Sequence, residues 1–91
     1  MALRRDGARL VLDGPVTLAT HAELRAQAAA LATDGDLEVD WSAVDAVDSS
    51  ALALILHWQR ASKARGARAV QTHLPQALLA LAELYGVQEL L

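Results

Sequence analysis

A carboxylate and two hydroxyls, Asp48-Ser49-Ser50, stand directly before the apolar run Ala51-Leu52-Ala53-Leu54-Ile55-Leu56-His57-Trp58. These are the residue types that accept hydrogen bonds from the first backbone N–H groups of a helix, which have no intrahelical partner, so Asp48 is read as a helix cap. The helix dipole also places partial positive charge at that end. A phosphate on Ser49 or Ser50 is therefore locally favoured, and Ser49 is a candidate phosphorylation site. Capping alone would account for the same three residues.

Asp48, Ser49 and His57 are the types found in a hydrolytic triad, but their spacing forbids it. At roughly 1.5 Å rise per helical residue, Ser49 and His57 lie about 12 Å apart along the axis. Neither serine sits in the Gly-x-Ser-x-Gly context of a strained nucleophile turn. His21, His57 and His73 fall on separate elements without metal-ligand spacing, and there is no phosphate-cradling Gly-rich loop. Arg60, Lys63, Arg65 and Arg68 read as the solvated end of a helix. No catalytic residue, metal or cofactor is expected, and the chain reads as a non-enzyme.

The elements that must position these residues follow from local signals. Asp6-Gly7 suits a tight turn between strands Ala2–Arg5 and Arg9–Asp13, with Gly14-Pro15 ending the second. Thr20 and Glu23 have the spacing of a capping box, which predicts a helix from about His21 to Ala32 with Leu24, Ala28 and Leu31 on one side. Asp34-Gly35 would stop it. Leu37–Trp41 alternates as a strand does. The Asp48 helix then runs to about Arg65, with Gly66 ending it. Ala67–Gln71 reads as a short strand, and Leu74-Pro75 starts a last helix with Leu78, Leu81, Ala82 and Tyr85 as its apolar stripe. This order predicts a single α/β domain over residues 1–91: a mostly parallel sheet of about four strands, an N-terminal antiparallel hairpin and three helices.

Helical periodicity divides the Asp48 helix into two faces. Ala51, Leu54, Ile55, Trp58 and Ala61 fall on one side, with Leu52 and Leu56 widening the apolar arc. Ser49, Ala53, His57, Arg60 and Ala64 fall on the other, with Leu54 and Leu56 at its margins. That second strip is small near the helix start and polar beyond, a shape a partner could approach closely. Ser49, Ser50, Ala53, His57 and Arg60 are the candidate partner-binding residues.

Composition narrows the partners. A formal charge of −3 over 91 residues offers no electrostatic basis for nucleic-acid binding. The chain has no cysteine, which agrees with a reducing compartment. Its start, Met-Ala-Leu-Arg-Arg-Asp, runs into charge, and no apolar run approaches the ~18 residues of a membrane span. A cytoplasmic location without direct membrane insertion is expected.

The stretch Leu37-Glu38-Val39-Asp40-Trp41-Ser42-Ala43-Val44-Asp45-Ala46-Val47-Asp48-Ser49-Ser50-Ala51-Leu52 resembles the signature of STAS domains, in which a strand leads through a short loop to Asp-Ser-Ser-Gly-Leu at a helix start. Ala51 replaces the usual Gly, which a helical position tolerates. The continuation Leu52–Trp58 is similar to MlaB-like STAS subunits, which often carry Thr at the position of Ser49. That resemblance implies a subunit docked on the cytoplasmic ATPase, MlaF-like, of a phospholipid ABC transporter that maintains outer-membrane lipid asymmetry. Its location would be peripheral to the inner membrane through that partner. The other branch it implies is an anti-sigma-factor antagonist that binds a kinase-type anti-sigma factor and is switched by phosphorylation of Ser49.

Overall fold

The computed structural model describes residues 3–31 and 35–91, the side chains of residues 29–31 and 90 excepted. Its elements are β1 (Leu3–Asp6), β2 (Arg9–Val16), α1 (Leu18–Leu31), β3 (Leu37–Val47), α2 (Ser49–Ala64), β4 (Ala69–Thr72) and α3 (Gln76–Leu84), followed by a short 3₁₀ turn at Gln88–Leu90. The sheet runs β1-β2-β3-β4, with β1 antiparallel to β2 and the other pairs parallel. The expected α/β architecture is observed. Ala2, the expected end of α1 at Ala32, the stop at Asp34 and the side chain of Leu31 lie outside the described residues.

The sheet order advances in one direction from β2 to β4, and strand–helix–strand crossovers are right-handed, so α1 and α2 must cover the same sheet face. The core agrees: Leu10, Leu12, Val39 and Trp41 from the sheet meet Leu24, Ala51, Leu54, Ile55 and Trp58 from the helices, with Leu78 and Ala82 of α3 completing the cluster. Trp41 is fully buried, and its indole N–H donates to Gln71 Oε1 at 2.7 Å. The opposite sheet face is polar. There Glu38 accepts from the Thr72 hydroxyl, and Asp40 lies near Arg9 and His73.

Two strands are longer than local signals indicate. β2 does not stop at Gly14-Pro15 but runs on to Val16, and β3 does not end at Trp41 but continues to Val47, leaving no loop before Asp48. Between the partners Val11↔Asp40 and Asp13↔Ala43, and again between Gly14↔Val44 and Pro15↔Ala46, β3 carries one more residue than β2. Such bulges free a strand from strict pairing and so accommodate a proline without an N–H and Gly14 at φ +80°. The first bulge leaves the Ser42 N–H outside the ladder; Asp40 Oδ1 accepts it at 2.9 Å, which is the leading cause of that carboxyl being held below its ordinary pKa.

Helix ends follow their expected chemistry with one exception. Gly66 (φ +71°) closes α2: its N–H bonds Lys63 O, and the Ala67 N–H bonds Ser62 O. Gly86 closes α3 in the same way. The exception is α1, which begins at Leu18 rather than His21. Thr20 is not its cap; it sits inside the first turn, where its hydroxyl accepts the Thr17 N–H at 3.0 Å. Thr17 therefore takes the capping position, and Glu23 instead accepts from Gln27 at 3.1 Å.

Candidate functional site

Asp48 joins two helices. Its Oδ1 accepts the Ser50 N–H at 2.8 Å and the Ser50 hydroxyl at 2.5 Å, capping α2, while Oδ2 accepts the Leu18 N–H at 2.9 Å, capping α1. One carboxylate thus satisfies orphan donors at two helix starts, the first of them 30 residues before Asp48 in the chain. The Ser50 hydroxyl and then the Leu18 amide hold this carboxyl below its ordinary pKa. Parallel pairing of β2 with β3 brings the two starts together, because Val16 and Val47 are register partners and each strand feeds its helix at that edge.

The two serines therefore differ. Ser50 is half-buried and committed to Asp48; Ser49 is exposed at the rim of the helix start. Along α2 from Ser49, Ala53, Arg60 and Ala64 are also exposed, so the strip expected to face solvent does so over most of its length. His57 is half-buried: the Arg25 guanidinium of α1 reaches it at 3.3 Å from Nδ1. Arginine has only donors, so Nδ1 must accept and the imidazole proton resides on Nε2. Ser49 and His57 make no hydrogen bond to one another among the described residues.

Two expected placements are corrected. Leu54 is fully buried in the core and borders no surface; at 100° per residue it points with Ala51 and Ile55 toward the sheet. Tyr85, expected on the buried stripe of α3, is 58% exposed, because it lies at the helix's C-cap, where the chain turns through Gly86. Tyr85 and Val87 instead close a shallow groove of about 350 Å³ against Ser49, Leu52, Ala53 and Leu56. Leu84, the last residue of α3, is likewise exposed, at 76%. Sequence reasoning missed this second wall, and its available signal was an aromatic residue placed directly before a helix-terminating glycine.

His57 has an electrostatic signature. Burial first, then the nearby charges of Arg25, Arg60 and His21, push its pKa below the ordinary value of 6.5. A histidine whose folded pKa is depressed contributes stability that is complete above the unfolded value and is lost as pH falls through the folded one. The thermal midpoint should therefore drop as pH is lowered from above 6.5 through the depressed folded value, and His57→Gln should reduce that drop. An identical pH profile for the variant would contradict the assignment. The depressed carboxyls of Asp40 and Asp48 act lower, below their ordinary 3.8.

Among the described residues no group of three metal-ligating side chains comes together, and no helix is long and apolar enough to cross a membrane. What the site presents is a hydroxyl, small side chains, an apolar groove and, further along α2, positive charge. It can receive another surface closely, and Ser49 can accept a phosphoryl group.

No curated protein matches the sequence. Among solved structures that match, one described as "Crystal Structure Analysis of Mglu" aligns with a TM-score of 0.62 at 21% identity, over 81% of this chain and 19% of that chain. The chain thus corresponds to a small part of that protein, and the likeness concerns the fold alone. The family model described as "Mlab, STAS domain" matches residues 1–91, over which lie the bulged β3, the Asp48 cap and the exposed α2 strip. The chain belongs to the MlaB-like STAS domain family.

Proposed function

We propose that this domain is a non-enzymatic docking subunit that binds and supports the cytoplasmic, MlaF-like ATPase of a phospholipid ABC transporter, and so serves outer-membrane lipid asymmetry. The observation that carries this reading is the continuity of the exposed strip Ser49, Ala53 and Arg60 with the groove walled by Tyr85 and Val87. Small side chains beside an apolar depression allow a partner helix or loop to approach to backbone distance. The family model's MlaB description and the Leu52–Trp58 run support the choice of an ATPase as that partner. In this reading the domain is held at the inner membrane through its partner.

Ser49→Arg tests it. The side chain is exposed, so the thermal midpoint should stay within about 2 °C of the parent. At the centre of an interface of standard size, about 1,200–2,000 Å², a bulky cation should abolish co-purification with the cognate ATPase. Retained capture by a folded Ser49→Arg domain would remove the site.

One observation favours a second reading, an anti-sigma-factor antagonist that binds a kinase-type anti-sigma factor and is switched by phosphorylation. Asp48 occupies the Ser50 hydroxyl and leaves Ser49 as the accessible one at the helix start. A phosphate there adds roughly −1.5 to −2 charges, enough to disrupt a dry contact. Intact mass after incubation with the native kinase separates the two: a stoichiometric phosphate on Ser49 favours the switch, and its stable absence favours the transporter subunit.

A further inference from the structure

The net charge of −3 conceals a segregation. Among the described residues every ion pair lies on the polar sheet face or the N-terminal hairpin: Arg9 with Asp6 and Asp40, and His73 with Asp40. α2 contains no carboxylate from Ser49 to Ala64. Between α1 and α2 lies a cleft of about 250 Å³ with Arg25, His57 and Arg65 on its wall, and Leu37, Trp58 and Ala61 supplying apolar lining. Arg25 spends a donor on the His57 ring, and Arg65 folds back onto Ala61 O at 3.2 Å and Ser62 Oγ at 3.4 Å. Neither guanidinium meets a carboxylate among the described residues.

Arg25 and Arg65, the two cations on the cleft wall, have no anion between them among the described residues, and like charges repel; the Arg25–His57 contact persists only while the imidazole is neutral. Trp58 lines the cleft at 4% exposure; its indole N–H, without a partner among the described residues, is itself closed to solvent, so the residue offers the cleft an apolar wall. An incoming carboxylate would relieve the repulsion, and guanidinium forks are shaped to hold one through two parallel hydrogen bonds.

We propose that the α1–α2 cleft receives an acidic side chain of the docked protein segment, seated between Arg25 and Arg65 with its methylene groups against Trp58 and Ala61. This rests on the docking reading and extends it by naming the chemistry of the contact. The cleft volume lies below the ~300–1,000 Å³ usual for whole small-molecule sites and suits a single side chain. Half-buried His57 lies on the same side of α2 as exposed Ala53 and Arg60 and also lines the cleft, so one segment laid along α2 reaches both.

The probe is a blocked tetrapeptide, N-acetyl-Leu-Glu-Asp-Leu-amide, titrated into the isotope-labelled domain, with N-acetyl-Leu-Gln-Asn-Leu-amide and inorganic phosphate as the other arms. The acidic peptide should shift the Trp58 indole and His57 ring signals saturably, and more strongly at lower salt. The neutral peptide should leave them in place. Arg25→Gln, an exposed change, should weaken the acidic peptide about tenfold while the thermal midpoint holds. Equal shifts from the neutral peptide, equal shifts from phosphate at the same concentration, or unchanged affinity in Arg25→Gln would each overturn the proposal. If the peptide fails while Ser49→Arg still abolishes ATPase capture, the cleft assignment alone falls; if the peptide binds and Ser49→Arg is harmless, the docking site falls instead.

Discussion

Leu54→Ala should destabilise the domain by about 3 kcal/mol, whereas Leu56→Ala, two residues away on the same helix, should cost about 1 kcal/mol or less. Leu54 is fully enclosed by the core cluster, so truncation loses the transfer energy of the side chain and leaves a cavity that packed neighbours refill only in part. Leu56 is half-buried and borders the surface groove, where water fills what the side chain vacates. For a chain of 91 residues, total stability is about 5–13 kcal/mol at roughly 0.05–0.15 kcal/mol per residue, so the first change removes a large fraction of it. Thermal unfolding followed by circular dichroism should show the Leu54→Ala midpoint lower by roughly 12–24 °C. Equal midpoints for the two variants would mean that α2 is rotated from the orientation described.

Asp48→Ala should cost about 2 kcal/mol, twice the effect of losing an ordinary cap, because two helix starts lose their acceptor together. Asp48→Ser separates the contributions: a serine can still cap α2 through its own hydroxyl but is too short to serve the Leu18 amide as well. About 1 kcal/mol should then remain. A local readout distinguishes this from general weakening. In both variants the Leu18 amide should exchange with solvent faster, while the Ser50 amide should do so only in Asp48→Ala. Should Asp48→Ser and Asp48→Ala prove equally unstable with Leu18 still protected, the bridge between the helices would be refuted. Since the carboxyl is held below its ordinary 3.8, its contribution is complete above that value and disappears as pH falls through the lower, folded one.

This double cap gives the Asp48-Ser49-Ser50 run a structural reason. The carboxylate bonds the first turns of both α1 and α2, and it occupies the Ser50 hydroxyl. Ser49 is left as the exposed hydroxyl at the helix start. In the docking reading, the same arrangement keeps the strip from Ser49 to Arg60 rigid before the partner arrives, which lowers the ordering cost of association.

Features that rest on neighbours a few residues apart were legible in the amino-acid order. The β1–β2 turn at Gly7, the α2 bounds from Asp48 to Gly66, the burial of Ala51, Ile55 and Trp58, and the exposure of Ser49, Ala53 and Arg60 all follow from turn chemistry, capping and a 3.6-residue period. Features that depend on partners about 30 residues away emerged only in the folded chain. Gly14-Pro15 ends a strand by local rules, yet bulged pairing with Val44 and Ala46 carries β2 to Val16 and moves the start of α1 back to Leu18. The second oxygen of Asp48 finds the Leu18 amide only because that pairing sets Val16 beside Val47. Tyr85 meets the α2 strip, and Arg25 meets His57, only once the helices pack on one sheet face. Local periodicity tells which way a side chain leaves its own helix; what stands opposite it is set by chain closure and packing between elements, which no short window of sequence contains.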